Sequence, residues 1–554
     1  MREDLRSLPP ASSGRRDRTL GAALLLAGAL ACLGYFATEA FLLSFDLGFP
    51  LDDSWIHLQF ARNLAAGHGL SYNPGELVTG STAPLWTALL ALLFYVPGSV
   101  IVWSKMLGAA FYLAGIDATR RLGRELGLGT GLAAFAAGLT LATSWLVWSA
   151  LSGMEIPLFV FLSLWGMIFH LRERRDPARP PLSAAIFGVA ALARPEGLLL
   201  LGLALVDRLL VFERVEPKDS KDDKDFKDTG EGTLVWRRPA WRPLLIGAAL
   251  AVCALIGPLL FYRWAGGSFL PTTFAAKGGE LRRWLPNPQY VYTVLGIFFQ
   301  PQPYMTLLAG GGVLALLERL GTRRDRGLLP ALWLVVLPLA YSIISPIGRG
   351  LIAGNFGRYY FPLFPVLILL GVLGLERAAA ALGPRVRAGH WRVPAGALLL
   401  VLIAWPTVSS LVQGAGRYAQ NIANVQDSDV RMARWLADRL PPEAVLAVND
   451  IGALKFFLPN RVVDLAGIAS PDLRREVRIA VQHGTPWNDA MIAAIAERQP
   501  DYLVIFPSWF PGVVANPMFR PVYGLKIPGN ITMGGDELVI YETPWVRHRL
   551  RDGG

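Results

Sequence analysis

The sequence predicts a polytopic α-helical membrane protein that ends in a small α/β domain. Of its 554 residues, 53% are hydrophobic and only 17% are charged, whereas soluble proteins carry about 25% charged residues. The mean hydropathy of the chain is +0.39. Up to residue 412, apolar runs of bilayer length alternate with short basic runs, and from residue 413 onward the composition is that of a soluble domain.

The basic runs predict how the chain crosses the membrane. Residues 1–18 contain five arginines and precede an apolar run over 20–45, so the positive-inside rule predicts a cytoplasmic N-terminus. That run is too long for a signal-peptide core, and we expect it to be retained as a helix. The alternation continues through residues 19–412 and predicts about eleven crossings. An odd number of crossings places residues 413–554 on the extracytoplasmic side.

Residues 413–554 combine helical and strand patterns. The segments VRMARWLADRL and DAMIAAIAERQ have helical periodicity, whereas AVLAVND, DYLVIFP and ELVIYET are short apolar runs typical of buried strands. An extracytoplasmic α/β domain is therefore expected. Because ATP and nucleotide sugars are absent on that side, an activated donor would have to arrive attached to a lipid.

The composition argues against two other classes of protein. The net charge of +11 would suit a nucleic-acid-binding protein, but the lysines and arginines gather between apolar segments and form no basic face with stacking aromatics. Cys32 and Cys253 are the only cysteines, and each lies inside an apolar run, which excludes a disulfide framework and a cysteine-based metal site. Membrane lipid, and no nucleic acid, is therefore the expected partner.

The first outer segment, residues 46–98, begins with two adjacent acids, Asp52 and Asp53. Apolar residues then recur every four positions over 56–64, which predicts an amphipathic helix lying at the membrane interface. The apolar stretch 84–97 is too short to span a bilayer and predicts a second interfacial helix.

Asp52 and Asp53 allow two interpretations. A carboxylate can take a proton from an acceptor hydroxyl, and a neighbouring acid raises the pKa of its partner. His57 lies one helical turn after Asp53 and can share its face. Alternatively, the two acids cap the helix and complement its dipole.

Other polar residues also have a functional and a structural interpretation. Arg358, followed by Tyr359, lies just before a membrane helix, where a guanidinium can hold a phosphate or anchor the helix. Lys277 can bind phosphate or border the membrane.

Four more candidates lie in turns. Arg194 and Glu196 occupy a bend between two short apolar arms, where they can pair with each other at depth. Glu155 is either a partner for a sugar hydroxyl or the N-terminal acid of a helix. Asp450 follows a predicted strand, where a turn and a substrate contact are both plausible.

Several of these motifs occur in an order that resembles a known family. The motifs are LDDSWIHLQFARNLAAGHGLSYNPGE, GSTAPLWTALLALL, SGMEIPLF, ARPEG, PTTFAAK, GRYYFP and VNDIGALKFFLPNRVVDLAG. Together they resemble the bacterial GT-C membrane glycosyltransferases related to mycobacterial arabinofuranosyltransferase B. A more distant likeness is to protein mannosyltransferases and the lipid A aminoarabinose transferase.

The resemblance implies a GT-C fold and an inverting transfer in the bacterial inner membrane. A sugar would pass from a polyprenyl-phosphate donor to a hydroxyl of a glycan, lipid or protein acceptor. The family's loop acid corresponds to Asp52 or Asp53, with Asp52 as the expected base and Asp53 as the positioning residue. Arg358 and Lys277 would hold the phosphate leaving group, where preorganised cations help most.

The remaining substrate-binding candidates are His57, Glu155, Arg194, Glu196, Tyr359 and Asp450. Asp52, Asp53 and His57 are the residues that suggest a divalent metal, and no metal is assigned. A transporter of lipid-linked saccharides is the alternative function. It is disfavoured because the acids gather on one side and the two halves show no repeat.

Overall fold

The structure is a computed structural model that describes residues 11–176, 178–215, 233–236, 241–269, 285, 287–322, 325–344, 357–386 and 392–551. Before residue 426 the described chain is mostly helical. Its helices are α1 (Ala11–Leu42), α2 (Asp52–Ala65), α3 (Pro84–Leu93), α4 (Val100–Glu125), α5 (Thr130–Ala142), α6 (Ser144–Leu151), α7 (Ile156–Arg175), α8 (Leu182–Ala193), α9 (Glu196–Leu209), α10 (Trp241–Gly266), α11 (Pro288–Phe299), α12 (Pro303–Glu318), α13 (Leu329–Ile344), a 3₁₀ helix (Arg358–Leu363), α14 (Phe364–Val386) and α15 (Arg392–Val425). Two short strands, β1 (Phe212–Val215) and β2 (Thr233–Trp236), form an antiparallel pair.

Six of the described helical segments are long and apolar enough to cross a membrane, or seven if α5 and α6, which meet at a 60° bend, form one span. The six are Arg16–Leu42, Val100–Glu125, Ile156–Arg175, Trp241–Gly266, Arg358–Ala381 and Gly396–Ala437. The predicted count of about eleven crossings is therefore wrong for the described part of the chain. The cause is helix length: α8, α12 and α13 have 12, 16 and 16 residues, whereas a span needs about 20.

Helix α2 begins at Asp52, and its faces are covered by two different parts of the protein. Trp55 and Leu58 belong to the core of the membrane part. Ile56 and Phe60 belong to the core of the C-terminal domain, residues 426–551, which is called the outer domain below. Ten of its fourteen residues are buried. The four-residue spacing thus predicts the helix correctly, but most of α2 is packed between two cores, and Asp53 is among its few partly exposed residues.

The outer domain is built on a five-stranded sheet. Its elements are the π-helical turn Gln426–Val430, α16 (Arg431–Ala437), β3 (Val445–Val448), α17 (Gly452–Phe457), β4 (Arg461–Asp464), α18 (Pro471–Gln482), α19 (Trp487–Arg498), β5 (Tyr502–Ile505), a 3₁₀ turn (Pro507–Trp509), α20 (Pro511–Val514), β6 (Arg520–Lys526) and β7 (Glu537–Glu542). The strand order is β4-β3-β5-β7-β6. Strands β4, β3 and β5 are parallel to one another, and β7 is antiparallel to both β5 and β6. The three strands predicted from apolar runs, β3, β5 and β7, are confirmed.

The outer domain rests on α2 through the short helix that follows β3. The ring of Trp55 lies 5.1 Å from the ring of Phe456 and 5.0 Å from that of Phe457, centroid to centroid. Aromatic pairs at this spacing add to the energy of burial. The start of α2 is thereby held at the edge of the sheet where the parallel strands end, which in α/β sheets is the edge that binds ligands.

Candidate active site

Asp53 meets Arg358, although 305 residues separate them in the chain. The guanidinium of Arg358 donates to the carboxylate of Asp53 and forms an ion pair with it. Gly357 positions the arginine: its backbone φ is 65°, and an added Cβ would lie 2.5 Å from Ile297. Asp53 and Arg358, two of the candidates singled out in the sequence, are therefore in direct contact.

The bend between α8 and α9 holds a second buried set of charges. Arg194 donates from Nη1 to Glu155 Oε1 at 2.8 Å and from Nη2 to Glu196 Oε1 at 2.6 Å. Tyr341 also donates to Glu196, at 2.6 Å. The predicted pairing of Arg194 with Glu196 is confirmed, and Glu155, predicted as a helix cap or sugar partner, is bound to the same guanidinium.

Glu155 also connects this set to α2. His57 Nε2 lies 3.3 Å from Glu155 Oε2, while His57 Nδ1 is buried and has no hydrogen-bond partner among the described residues. Burial opposes ionisation of Glu155, but the interactions with His57 and Arg194 outweigh it and lower its pKa to about 2. Glu155 is therefore an anion at every physiological pH.

Tyr359 joins the two sets of charges. Its ring lies 5.4 Å from the guanidinium carbon of Arg358 and 5.3 Å from that of Arg194. Cations within about 6 Å of an aromatic ring are attracted to its face. The two guanidinium groups therefore flank one aromatic ring, close to the start of α2.

Asp52 is placed quite differently from its neighbour. Its carboxylate accepts the backbone N–H groups of Gly452 at 2.6 Å and Ala453 at 2.7 Å. The approach is so close that a Cβ on Gly452 would lie 2.1 Å from the Asp52 carbonyl oxygen. Burial raises the pKa of Asp52 to about 7, against the lowering effect of these two hydrogen bonds. Asp52 thus binds the outer domain.

Asp450 and Asp429 lie beside Asp52, and sequence reasoning missed Asp429. One oxygen of each carboxylate lies within 4.8 Å of the other two. A signal for Asp429 was available, because Met432, Ala433 and Leu436 follow it at helical spacing and all belong to the outer-domain core. An acid on the apolar face of a helix is expected to have a special partner.

The remaining predictions concern Lys277 and a metal. Lys277 lies outside the described residues. The suggested metal set of Asp52, Asp53 and His57 does not come together, because Asp53 pairs with Arg358 and His57 with Glu155. Within the described ranges, the group of three acids around Asp52 is the one with metal-ligand spacing.

Comparisons with known proteins agree with this fold. A family model for a domain of unknown function (DUF8728) matches residues 419–543. The chain is 27% identical over 412 residues to the terminal β-(1→2)-arabinofuranosyltransferase of Mycobacterium tuberculosis. That alignment covers 67% of this chain, which spans 60% of the length of the relative.

Two solved structures share the architecture over nearly the whole chain. ArnT from Cupriavidus metallidurans, bound to undecaprenyl phosphate, superposes with a TM-score of 0.56 and 15% identity and covers 94% of this chain and 98% of its own. The oligosaccharyltransferase AglB from Archaeoglobus fulgidus, in complex with an inhibitory peptide and a dolichol-phosphate, has a TM-score of 0.52 and 12% identity. The match covers 95% of this chain and 75% of AglB.

These matches establish the fold of the chain and the proteins that it resembles. The chain has the fold of membrane glycosyltransferases, and the resemblance to the GT-C enzymes read from its motifs is confirmed. The curated relative and both structural neighbours are glycosyltransferases.

Proposed function

We propose that this chain is an inverting glycosyltransferase that moves a sugar from a polyprenyl-phosphate donor to an acceptor hydroxyl. The observation that carries the proposal is the pair of Asp53 and Arg358, an acid on the first outer helix and a buried guanidinium at the start of a membrane helix. A base and a phosphate-binding cation are the two groups that such a transfer requires.

Arg358 is suited to hold the phosphate of the donor. A guanidinium can donate two parallel hydrogen bonds to phosphate oxygens, and its charge persists at all working pH values. In the donor the phosphate is a diester with one negative charge, and it leaves as a monoester that carries more. A fixed cation beside the leaving oxygen stabilises this developing charge, which lowers the barrier.

Asp53 is suited to act as the base once the donor is bound. The donor phosphate replaces the Asp53 carboxylate on Arg358, and Asp53 then accepts the proton of the acceptor hydroxyl. The acceptor oxygen forms a bond to the anomeric carbon as the bond from that carbon to the phosphate oxygen breaks. The products are a glycoside of inverted configuration and a polyprenyl phosphate.

The geometry favours Asp53 over Asp52 as the base, which reverses the order expected from the resemblance. Asp52 is 8% exposed, and both of its oxygens accept amide protons from the outer domain. The side chain of Asp53 is 31% exposed and touches Arg358. A base must reach both the acceptor and the bound donor, and the partial exposure of Asp53 and its contact with Arg358 support this role.

The buried charged residues around Arg194 line the proposed binding site of the sugar. Arg194 fixes Glu155, which in turn orients His57. Among the described residues His57 Nδ1 has no partner, which leaves it for a sugar hydroxyl once the donor is bound, and Glu196 and Tyr359 border the same region. Sites that pair with a substrate hydroxyl reject analogues that lack it, so these residues are expected to select the sugar.

The carrier and the location follow from the neighbours and the sequence. The ArnT structure holds undecaprenyl phosphate and the AglB structure a dolichol-phosphate, and we extend this class of carrier to the present chain. The five arginines within residues 1–18 support a cytoplasmic N-terminus in a bacterial inner membrane, with the site and the outer domain on the extracytoplasmic face. The acceptor is a glycan, lipid or protein of the cell envelope.

The test uses the full chain in lipid nanodiscs and a panel of radiolabelled polyprenyl-phosphate sugars, with the arabinofuranose donor first. The expected result is release of polyprenyl phosphate together with transfer of label to an envelope acceptor. Arg358→Lys should reduce kcat/KM for the donor by about 10²-fold, since a lysine keeps the charge but loses the bidentate geometry. Arg377→Lys, an exposed residue paired with Glu318 at 2.6 Å, is the control. In sealed proteoliposomes, movement of intact donor across the bilayer without cleavage would instead indicate a transporter.

A further inference from the structure

Three carboxylates from distant parts of the chain meet between α2 and the outer domain. Asp52 begins α2, Asp429 lies in the π-helical turn after α15, and Asp450 follows β3. One oxygen of each lies within 4.8 Å of the others. Ligands of a Ca²⁺ ion, each bound at about 2.3–2.6 Å, lie at most about 5 Å apart. The three oxygens are close enough to share one ion.

Asp429 provides the observation that points to a ligand. Its side chain is fully buried at 0% exposure, and neither of its carboxylate oxygens has a hydrogen-bond partner in the described part of the chain. The ionisable groups that act most strongly on it, Asp450 and Asp52, are acids as well. Buried carboxylates are normally paired with a cation or coordinate a metal, because an isolated buried charge loses its hydration without compensation.

The chemistry of the three side chains selects the class of ion. All three ligand atoms are carboxylate oxygens, which suit the hard cations Ca²⁺ and Mg²⁺, whereas Zn²⁺ sites usually include histidine or cysteine. Asp52 remains able to bind an ion although it accepts two backbone amides, since an ionised carboxylate has about four acceptor positions.

We propose that Asp52, Asp429 and Asp450 bind a hard divalent cation of the calcium or magnesium type. The ion links α2, the end of α15 and the sheet of the outer domain. Its positive charge compensates the three carboxylates. By fixing the start of α2 it also fixes the backbone of Asp53. The binding itself does not depend on the proposed sugar transfer and can be measured without any donor.

The test is equilibrium dialysis of the full chain in detergent against radioactive Ca²⁺ after treatment with a chelator, combined with thermal unfolding in added Ca²⁺ or Mg²⁺. Wild type is expected to bind one ion per chain and to unfold at a higher temperature when the ion is present. Asp429→Asn should weaken binding by about 10- to 100-fold and abolish the shift. Asp427→Asn is the matched control, because Asp427 lies in the same turn but pairs with Arg431 at 2.5 Å.

Two results would overturn the proposal. One is a wild type that binds neither ion and whose unfolding temperature ignores both. The other is equal ion binding by Asp429→Asn and wild type. If Asp429→Asn does not elute as a folded protein in size-exclusion chromatography, Asp450→Asn takes its place with the same expected loss.

Discussion

The two sides of the first turn of α2 differ in how their charges are balanced. On one side Asp53 faces the guanidinium of Arg358. On the other side Asp52 faces Asp429 and Asp450. Consecutive residues of a helix point about 100° apart, so two adjacent acids reach two separate environments.

This difference separates two uses of a carboxylate. An acid that is paired with a guanidinium can be exchanged for another anion, such as a substrate phosphate, without leaving a buried charge uncompensated. Asp52 cannot be exchanged in this way, because the groups beside it, Asp429 and Asp450, are also acids. Burial, followed by the charges of Asp52 and Asp53, raises the pKa of Asp450 well above its ordinary value, so an anionic Asp450 is unfavourable here unless a cation lies beside it. The side with Asp53 and Arg358 is therefore suited to catalysis. The side with Asp52, Asp429 and Asp450 is suited to holding the outer domain on α2.

Replacement of Asp53 should have the largest effect on activity. Asp53→Asn cannot accept a proton, and kcat for sugar transfer is expected to fall by about 10²- to 10⁴-fold. Donor binding should stay equal or become tighter, because Arg358 no longer has a competing carboxylate. Polyprenyl phosphate release and donor binding are measured on the same preparation. Activity close to that of wild type would remove Asp53 from the role of base.

Replacement of Asp52 should instead affect stability. Asp52→Asn leaves one of the amides of Gly452 and Ala453 without an acceptor and removes a ligand of the proposed ion, and with Ca²⁺ present this should lower the free energy of unfolding by about 1–3 kcal/mol. The drop in kcat should stay below about tenfold, well under the effect of a lost base. Unfolding is followed with Ca²⁺ present, because in chelator the neutral Asn also removes a charge that burial opposes. Loss of turnover with unchanged stability would return the role of base to Asp52.

Sequence reasoning located the elements of the site because each has a local signal. The acids before an apolar repeat predicted α2, and three short apolar runs predicted β3, β5 and β7. The position of Arg358 before a membrane helix indicated a group at headgroup depth. These signals depend on neighbours within a few residues, which is the range over which periodicity and capping act.

The features that sequence reasoning missed depend on long-range contacts. Asp52 and Asp53 have nearly the same local sequence, and they are distinguished by the outer domain, about 400 residues after Asp52, and by Arg358, 305 residues after Asp53. Asp429 acquires its meaning from Asp52 and Asp450. The number of crossings was overestimated because hydropathy shows that a segment is apolar, but its helix length depends on where the chain bends, as at Arg194.

The smallest expected effect is the pH dependence of the stability that Glu155 contributes, on the same side of α2 as Arg194 and His57. The folded pKa of Glu155, about 2, lies below its ordinary value of 4.5, so its ionisation stabilises the fold fully above about pH 4.5 and progressively less as the pH falls toward 2. The difference in unfolding free energy between wild type and Glu155→Gln should therefore shrink by about 1 kcal/mol between pH 7 and pH 4. Chemical unfolding of both proteins at the two pH values measures this. A difference that is constant, or that grows at low pH, would show that Glu155 is not held as an anion by Arg194 and His57.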